Sequence, residues 1–362
     1  MHRVFYQSAG LPRGLREYNR ARAQSGIPGE VGGGVLSTSL VGVGVLQTVV
    51  YLLFVRAIDL YEREELKFVI PVFVWGFTVA VVISLFFNTL FAVTLSAVVS
   101  VQAADFLTTV LVAPVVEECA KGLALLIAFA VASMVSLRRG DLEFSGMMDG
   151  IVYGSAVGFG FSIAEDILYY TQFGEEVFVV RRIFGGFDHA AFTSLTGIGI
   201  GLIPWVRWGA LKILLPVLGL AGAITLHATF NFTATVFPPL AYILEFFVLF
   251  LYVLLIAIWL AVERQIIRGE LFDEVAAGTI SPGEYAILPT YFARTFYYLG
   301  LIFTGRLDEW RRARRIHQAA VDLAFTKRLS RHSYAAPQQL KTQILRRRIG
   351  ELRGGQALRF GS

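Results

Sequence analysis

Glu117, Glu118 and Lys121 interrupt LVAPVVEECAKGLALL, a stretch that is apolar everywhere else. Three more apolar stretches carry the same kind of exception. Glu165 and Asp166 lie in GFGFSIAEDILYY, Asp188 and His189 in GGFDHAAFTSLTG, and His227 and Asn231 in AITLHATFNFTA. Glu117/Lys121 and His227/Asn231 are spaced i,i+4, so each pair shares one face of a helix. Lys121 can hold one carboxylate ionised while the adjacent carboxyl, denied a counter-charge, takes up a proton. A general base and a general acid need that division. Pro114, close to one turn before Glu117, loosens the helix there and could admit water.

The elements that must position these groups are membrane helices. Of the 362 residues, 56% are hydrophobic and 16% charged; 30 are Phe, and the mean hydropathy is +0.63. Soluble domains average about 25% charged residues. The composition therefore excludes an ordinary soluble enzyme and a disordered chain alike. A charge in mid-bilayer costs roughly 2.5–3.5 kcal/mol on insertion scales, so packing alone does not account for polar groups on four separate helices. Cys119 is the single cysteine, which excludes an internal disulfide and a cysteine-rich metal site.

Hydrophobic segments run at about 35–55, 68–104, 106–136, 147–170, 183–206, 212–236 and 240–262, which reads as about seven spans. Segment 68–104 has no Asp, Glu, Lys, Arg or His. It reads as one helix at 68–90 plus a membrane-embedded or interfacial extension, with a tight hairpin near Asn88 as the other option. The pairs Gly154/Gly158 and Gly197/Gly201 let helix backbones approach closely within lipid. The glycines around Gly158 and Gly160 follow no strand, so they are not a nucleotide loop.

The expected fold is all-α: a polar segment at 1–34, a transmembrane bundle at 35–262 and a soluble, helical, basic tail at 263–362. The tail holds 17 Lys/Arg against 9 Asp/Glu. Ser281-Pro282, with Glu284 close behind, opens a helix. A basic tail beside a membrane marks the cytoplasmic side, and Arg138, Arg139, Arg207 and Lys212 fall on that side with it. Seven spans would put 1–34 outside, against its five Arg. That segment also lacks the pattern of a signal peptide.

In order along the chain stand Glu117-Glu118-Cys119-Ala120-Lys121, Phe161 to Glu165, His189 ahead of Ala190, and His227 to Asn231. On these four motifs, EExxK, FxxxE, a His before small residues and HxxxN, the sequence resembles the PrsW family of intramembrane proteases. These are relatives of the CAAX-processing and bacteriocin-processing membrane proteases. Asp166 stands where Asn is usual. The resemblance implies peptide-bond hydrolysis within or beside the membrane, on a single-pass membrane protein such as an anti-sigma factor. It implies that Glu117 or Glu118 activates a water, and that His227 and Asn231 donate to the tetrahedral oxyanion. A donor of that kind is worth roughly 2.7–4 kcal/mol. His189 and Glu165 would orient the water or protonate the leaving amine, with Lys121 and Asp166 in support.

Other readings stay open at this level. No cofactor is expected, but zinc is the alternative: Glu117, Glu118, Glu165, His189 and His227 could ligate it, although HExxH is missing. A proton-coupled transporter could use the same groups as a relay, yet it would call for an internal repeat, and none of the motifs recurs. In a membrane scaffold, His227 and Asn231 would only join helices, at roughly 0.6–2 kcal/mol. His189 could sit near the membrane surface beside Asp188, Arg181 and Arg182, and Asp166 could face water. Asp149 and Glu245 read as span-end residues without chemistry. The expected partners are the substrate and the lipid bilayer, with no nucleic acid. The expected location is the cell membrane, multi-pass.

Overall fold

The computed structural model describes residues 38–59, 61, 65–139, 144, 146–331 and 336–354. The polar segment 1–34, the first residues of the bundle at 35–37 and the tail's last residues at 355–362 lie outside these. In chain order the helices are α1 (Thr38–Ile58), α2 (Leu66–Ser96), α3 (Val101–Leu107), α4 (Ala113–Arg139), α5 (Met147–Phe173) and α6 (Glu175–Phe184). They continue with α7 (Asp188–Gly201), α8 (Gly209–Val236), α9 (Pro238–Ala276), α10 (Pro282–Ile287), α11 (Tyr291–Phe303), α12 (Leu307–Ser330) and α13 (Ala336–Gly354). Among the described residues there is no strand, as the all-α expectation has it.

Five of these helices, α1, α2, α5, α8 and α9, are long and apolar enough to cross a membrane. Two expectations need correction. First, there is no hairpin at Asn88. α2 runs unbroken through it for 31 residues, because FFNTLF offers no Gly or Pro to turn the chain. The chain turns later, where Ser100 caps α3 through its hydroxyl. Second, 183–206 is not one continuous helix. Gly185 and Gly186 divide it into the amphipathic α6 and the 14-residue α7. At about 1.5 Å per residue α7 reaches only some 21 Å, short of a hydrocarbon core of about 30 Å. It is instead sheathed by protein. Asp188, His189, Thr193, Ser194 and Thr196 are all buried along it.

Glycines bring α7 hard against α5. Gly150 meets Gly197, Gly154 meets Ser194, and Gly158 meets the backbone carbonyl of His189. A Cβ at any of these positions would overlap backbone atoms of the other helix. Such small-residue contacts let helix axes approach where apolar burial gives no drive, as within lipid. Gly160 and Gly76 do the same between α5 and α2.

The ends of the bundle helices gather at one level. Asp59 after α1, Asp149 in the first turn of α5, Trp205 after α7 and Glu263 of α9 line one small cavity together with Phe325 of α12. Below that level α9 continues without a break and becomes part of a second core. Ile267 and Leu271 of α9 pack there with Leu323 and Ala324 of α12 and Ile349 of α13. Ser281 and Glu284 form a reciprocal capping box at the start of α10.

Candidate active site

α4 carries Glu117, Glu118 and Lys121 into the middle of the bundle, and neither Glu118 nor Lys121 has any exposed surface. Lys121 Nζ lies 2.8 Å from Glu118 Oε1, 3.6 Å from Glu117 Oε2 and 2.9 Å from His189 Nδ1. It also sits 3.9 Å from the centre of the Phe161 ring. An ammonium has only hydrogens to give, so His189 Nδ1 accepts. His189 Nε2–H is then the donor to Glu165 Oε2, 2.9 Å away.

The two adjacent glutamates differ in their surroundings. Glu118 is enclosed: Oε1 takes Lys121 and lies 3.1 Å from His227 Nδ1, and Oε2 accepts from Thr193 Oγ1 at 2.9 Å. A carboxylate on one ring nitrogen fixes the tautomer of a histidine and turns its other nitrogen outward as a lone pair. Here that nitrogen, His227 Nε2, faces Glu117 Oε2 at 3.8 Å. This oxygen of Glu117 has no hydrogen-bond partner among the described residues. Glu117 also lines a cavity of about 350 Å³, together with Glu165, His189, His227 and Asn231.

Asn231 has a backbone task. Its Nδ2 donates to the Thr109 carbonyl at 2.9 Å. Thr109 lies in a π turn, Thr108–Val112, which joins α3 to α4. In that register the N–H of Ala113 meets the carbonyl of Thr108. The next donor in line would be residue 114, a proline with no N–H. Asn231 supplies the missing hydrogen from α8. The loosening expected at Pro114 is thus a π turn, held by a residue of the HxxxN motif.

Two more expectations are corrected. Asp166 does not face water. It is 1% exposed, and Oδ1 accepts from Arg181 Nε at 2.6 Å and Oδ2 from Arg182 Nη1 at 2.9 Å. Arg182 reaches on to Thr48 Oγ1 of α1, so Asp166 ties α5, α6 and α1 together. His189 is enclosed by protein, 6% exposed, with Glu165 on one side and Lys121 on the other. Glu245, read as a span-end residue, is buried and lines the large cavity beside Asp188 and Arg181. Thr193 and Arg181 were missed as partners. Thr193 stands i,i+4 from His189, a spacing that could have found it; nothing in the sequence ties Arg181 to Glu165.

Glu117, His189 and His227 each offer a ligand atom, and these atoms lie within 4.8 Å of one another. Residues 64–260, more than half of the chain, match the family described as PrsW family intramembrane metalloprotease. The chain belongs to the PrsW family. Among its relatives, Protease PrsW of Geobacillus kaustophilus is 31% identical over 163 residues, 45% of this chain and 66% of that protein. Protease PrsW of Bacillus subtilis is 30% identical over 116 residues, 30% of this chain and 50% of that protein. Protease PrsW of Oceanobacillus iheyensis is 32% identical over 117 residues, 31% of this chain and 51% of that protein. The chain thus spans one half to just under two thirds of the length of these relatives. No solved structure matches it. In this PrsW family member the four motifs meet at one place. Glu117, Glu165, His189, His227 and Asn231 stand on the cavity wall, and Glu118, Lys121 and Asp166 stand behind them.

Proposed function

We propose that this chain is a membrane-embedded endopeptidase that cuts a single-pass membrane protein, such as an anti-sigma factor, inside the 350 Å³ cavity. The observation that carries this reading is Glu117 Oε2, which has no hydrogen-bond partner among the described residues and faces His227 Nε2 on the cavity wall. Glu117 takes a proton from water as it attacks the carbonyl carbon, and later returns that proton to the leaving amine. His227, held by Glu118, orients the water. Asn231 keeps a second amide hydrogen for the oxyanion. His189 and Glu165 line the same cavity beside them.

The same residues fit a zinc-type ion. Glu117 offers a carboxylate oxygen that has no hydrogen-bond partner among the described residues and lies 3.6 Å from Lys121 Nζ, and His227 a lone pair backed by the Glu118 carboxylate. Glu117, His189 and His227 would hold the ion, and His189 would have to give up either Lys121 or Glu165 to do so. Once bound, it would supply Lewis acidity to carbonyl and water. Glu165 is then the carboxylate left to move the proton. In the orientation proposed here, the face bearing the tail, Arg207 and Arg264 is cytoplasmic.

The deciding experiment is co-expression with candidate single-pass membrane proteins, comparing wild type with Glu117→Gln and Glu165→Gln. A fragment made only by the wild type supports the reading. Equal fragments from wild type and Glu117→Gln overturn it. Zinc analysis of the purified proteins separates the two versions: zinc that is stoichiometric in the wild type, lost in Glu117→Gln and kept in Glu165→Gln makes Glu117 a ligand.

A further inference from the structure

We propose that α11 lies in the bilayer interface, with its outer aromatic face buried in the leaflet on the tail's side of the bundle. For part of a water-soluble appendage this helix is inside out. Phe292, Phe296, Leu299 and Phe303 follow one another at helical spacing and are 70%, 70%, 38% and 83% exposed. Arg294, by contrast, is buried, with its guanidinium over the Tyr61 ring at 5.3 Å. Tyr298 also turns toward the protein, its hydroxyl 2.8 Å from His317 Nδ1. A stripe of bulky aromatics at this spacing suits the headgroup–acyl boundary, where such a helix lies flat.

The position of the helix selects the lipid surface over other occupants. Tyr61 comes three residues after the end of α1, and its hydroxyl donates to the carbonyl of Pro289, two residues before α11 begins. Tyr61 also shares the small cavity at the ends of the bundle helices with Trp205 and Trp259, whose rings are 5.9 Å apart. Tryptophan and tyrosine favour that depth in a membrane. α11 therefore starts where the spans stop. The charge on its flank is complementary to anionic headgroups. Asp308 and Glu309 are paired with Arg311 and Arg306, which leaves the cluster Arg312, Arg314 and Arg315 as surplus positive charge at the start of α12.

The test uses the full chain with Cys119→Ser and one nitroxide label at a time, on Phe296→Cys, Phe303→Cys or Arg347→Cys. The protein is placed in phosphatidylcholine–phosphatidylglycerol vesicles. Arg347 is an exposed residue of α13. Oxygen, which partitions into lipid, is expected to relax the labels at 296 and 303 more strongly than a water-soluble nickel chelate does, and the order is expected to reverse at 347. Leu299→Cys repeats the reading on the same face if a phenylalanine replacement misfolds. The proposal is overturned if the chelate dominates at 296 and 303. It is also overturned if label–label broadening, lost on dilution with unlabelled protein, shows a second copy covering the face.

Discussion

Glu117 Oε2 and His227 Nε2 face each other across 3.8 Å on the wall of the large cavity, and the glutamate oxygen has no hydrogen-bond partner among the described residues. One residue further along α4, Glu118 is wholly enclosed by Lys121, Thr193 and the other nitrogen of the same imidazole. The difference follows from helix geometry. Consecutive side chains point about 100° apart, so one of the pair reaches the cavity and the other reaches α7 and α8.

Glu117→Gln and Glu118→Gln should therefore fail in different ways. Glu117→Gln is expected to lower cleavage about 10²–10⁴-fold, the usual worth of a general base, with little change in thermal stability. Glu118→Gln is expected to cost about 3–5 kcal/mol, because it leaves the buried Lys121 short of its closest counter-charge. Cleavage assays and unfolding in detergent, run on the same preparations, check both. A stable, fully active Glu117→Gln would remove the assignment.

Asn231 and Pro114 should be coupled. Asn231→Ala leaves the Thr109 carbonyl unmet, at about 1–3 kcal/mol. Pro114→Ala restores a backbone N–H to the π turn and should recover most of that loss in the double variant. A double-mutant cycle on unfolding free energy reads the coupling. Additive effects would mean that the amide does not stand in for the missing N–H.

Gly158→Ala tests what holds His189 in place. The new methyl would overlap the His189 carbonyl, so α5 and α7 must part. The expected cost is about 1–3 kcal/mol in stability, with a larger proportional loss of cleavage as His189 moves off Glu165. Gly222→Ala, whose methyl would meet only the end of Leu195 in ordinary contact, should be nearly silent in both measurements.

Acid should loosen the tail. Burial holds the His317 imidazole down, to about 4, with Glu284 opposing and Arg294 and Arg353 adding to the shift. Between about 4 and the ordinary value near 6.5, the unfolded chain binds a proton that the folded chain refuses. Stability is therefore whole above that window and falls as pH drops through it, by on the order of 3 kcal/mol. Denaturation midpoints of the full chain at pH 7.5 and pH 5 measure roughly 2 kcal/mol of the fall, because pH 5 lies inside the window. His317→Gln should flatten it; an unchanged slope in that variant would assign the acid sensitivity elsewhere.

The residues of the site were legible because each is an exception to its surroundings. A glutamate, lysine or histidine in an apolar helix announces itself, and four such exceptions in a set order carried the family. Glu245 and Arg181 escaped for the opposite reason. Glu245 lies only a few residues from the start of α9, and Arg181 lies in an amphipathic helix with charges at both ends, so neither stood out. Hydropathy records how apolar a segment is, so it joined the end of α6 and all of α7 into one segment across the break at Gly185 and Gly186.

The sequence by itself determined the medium, the helical class, the identities of the polar groups and the facing of pairs such as Glu117 and Lys121, since all of these depend on composition and on a 3.6-residue repeat. Only the tertiary structure decided which glutamate meets the cavity, that Asp166 is bound by two arginines, and that Asn231 completes a turn broken by Pro114. Those outcomes depend on how α4, α5, α7 and α8 approach one another. Glycine contacts and buried hydrogen bonds between residues as far apart as Thr109 and Asn231 set that approach, and no local pattern encodes such distances.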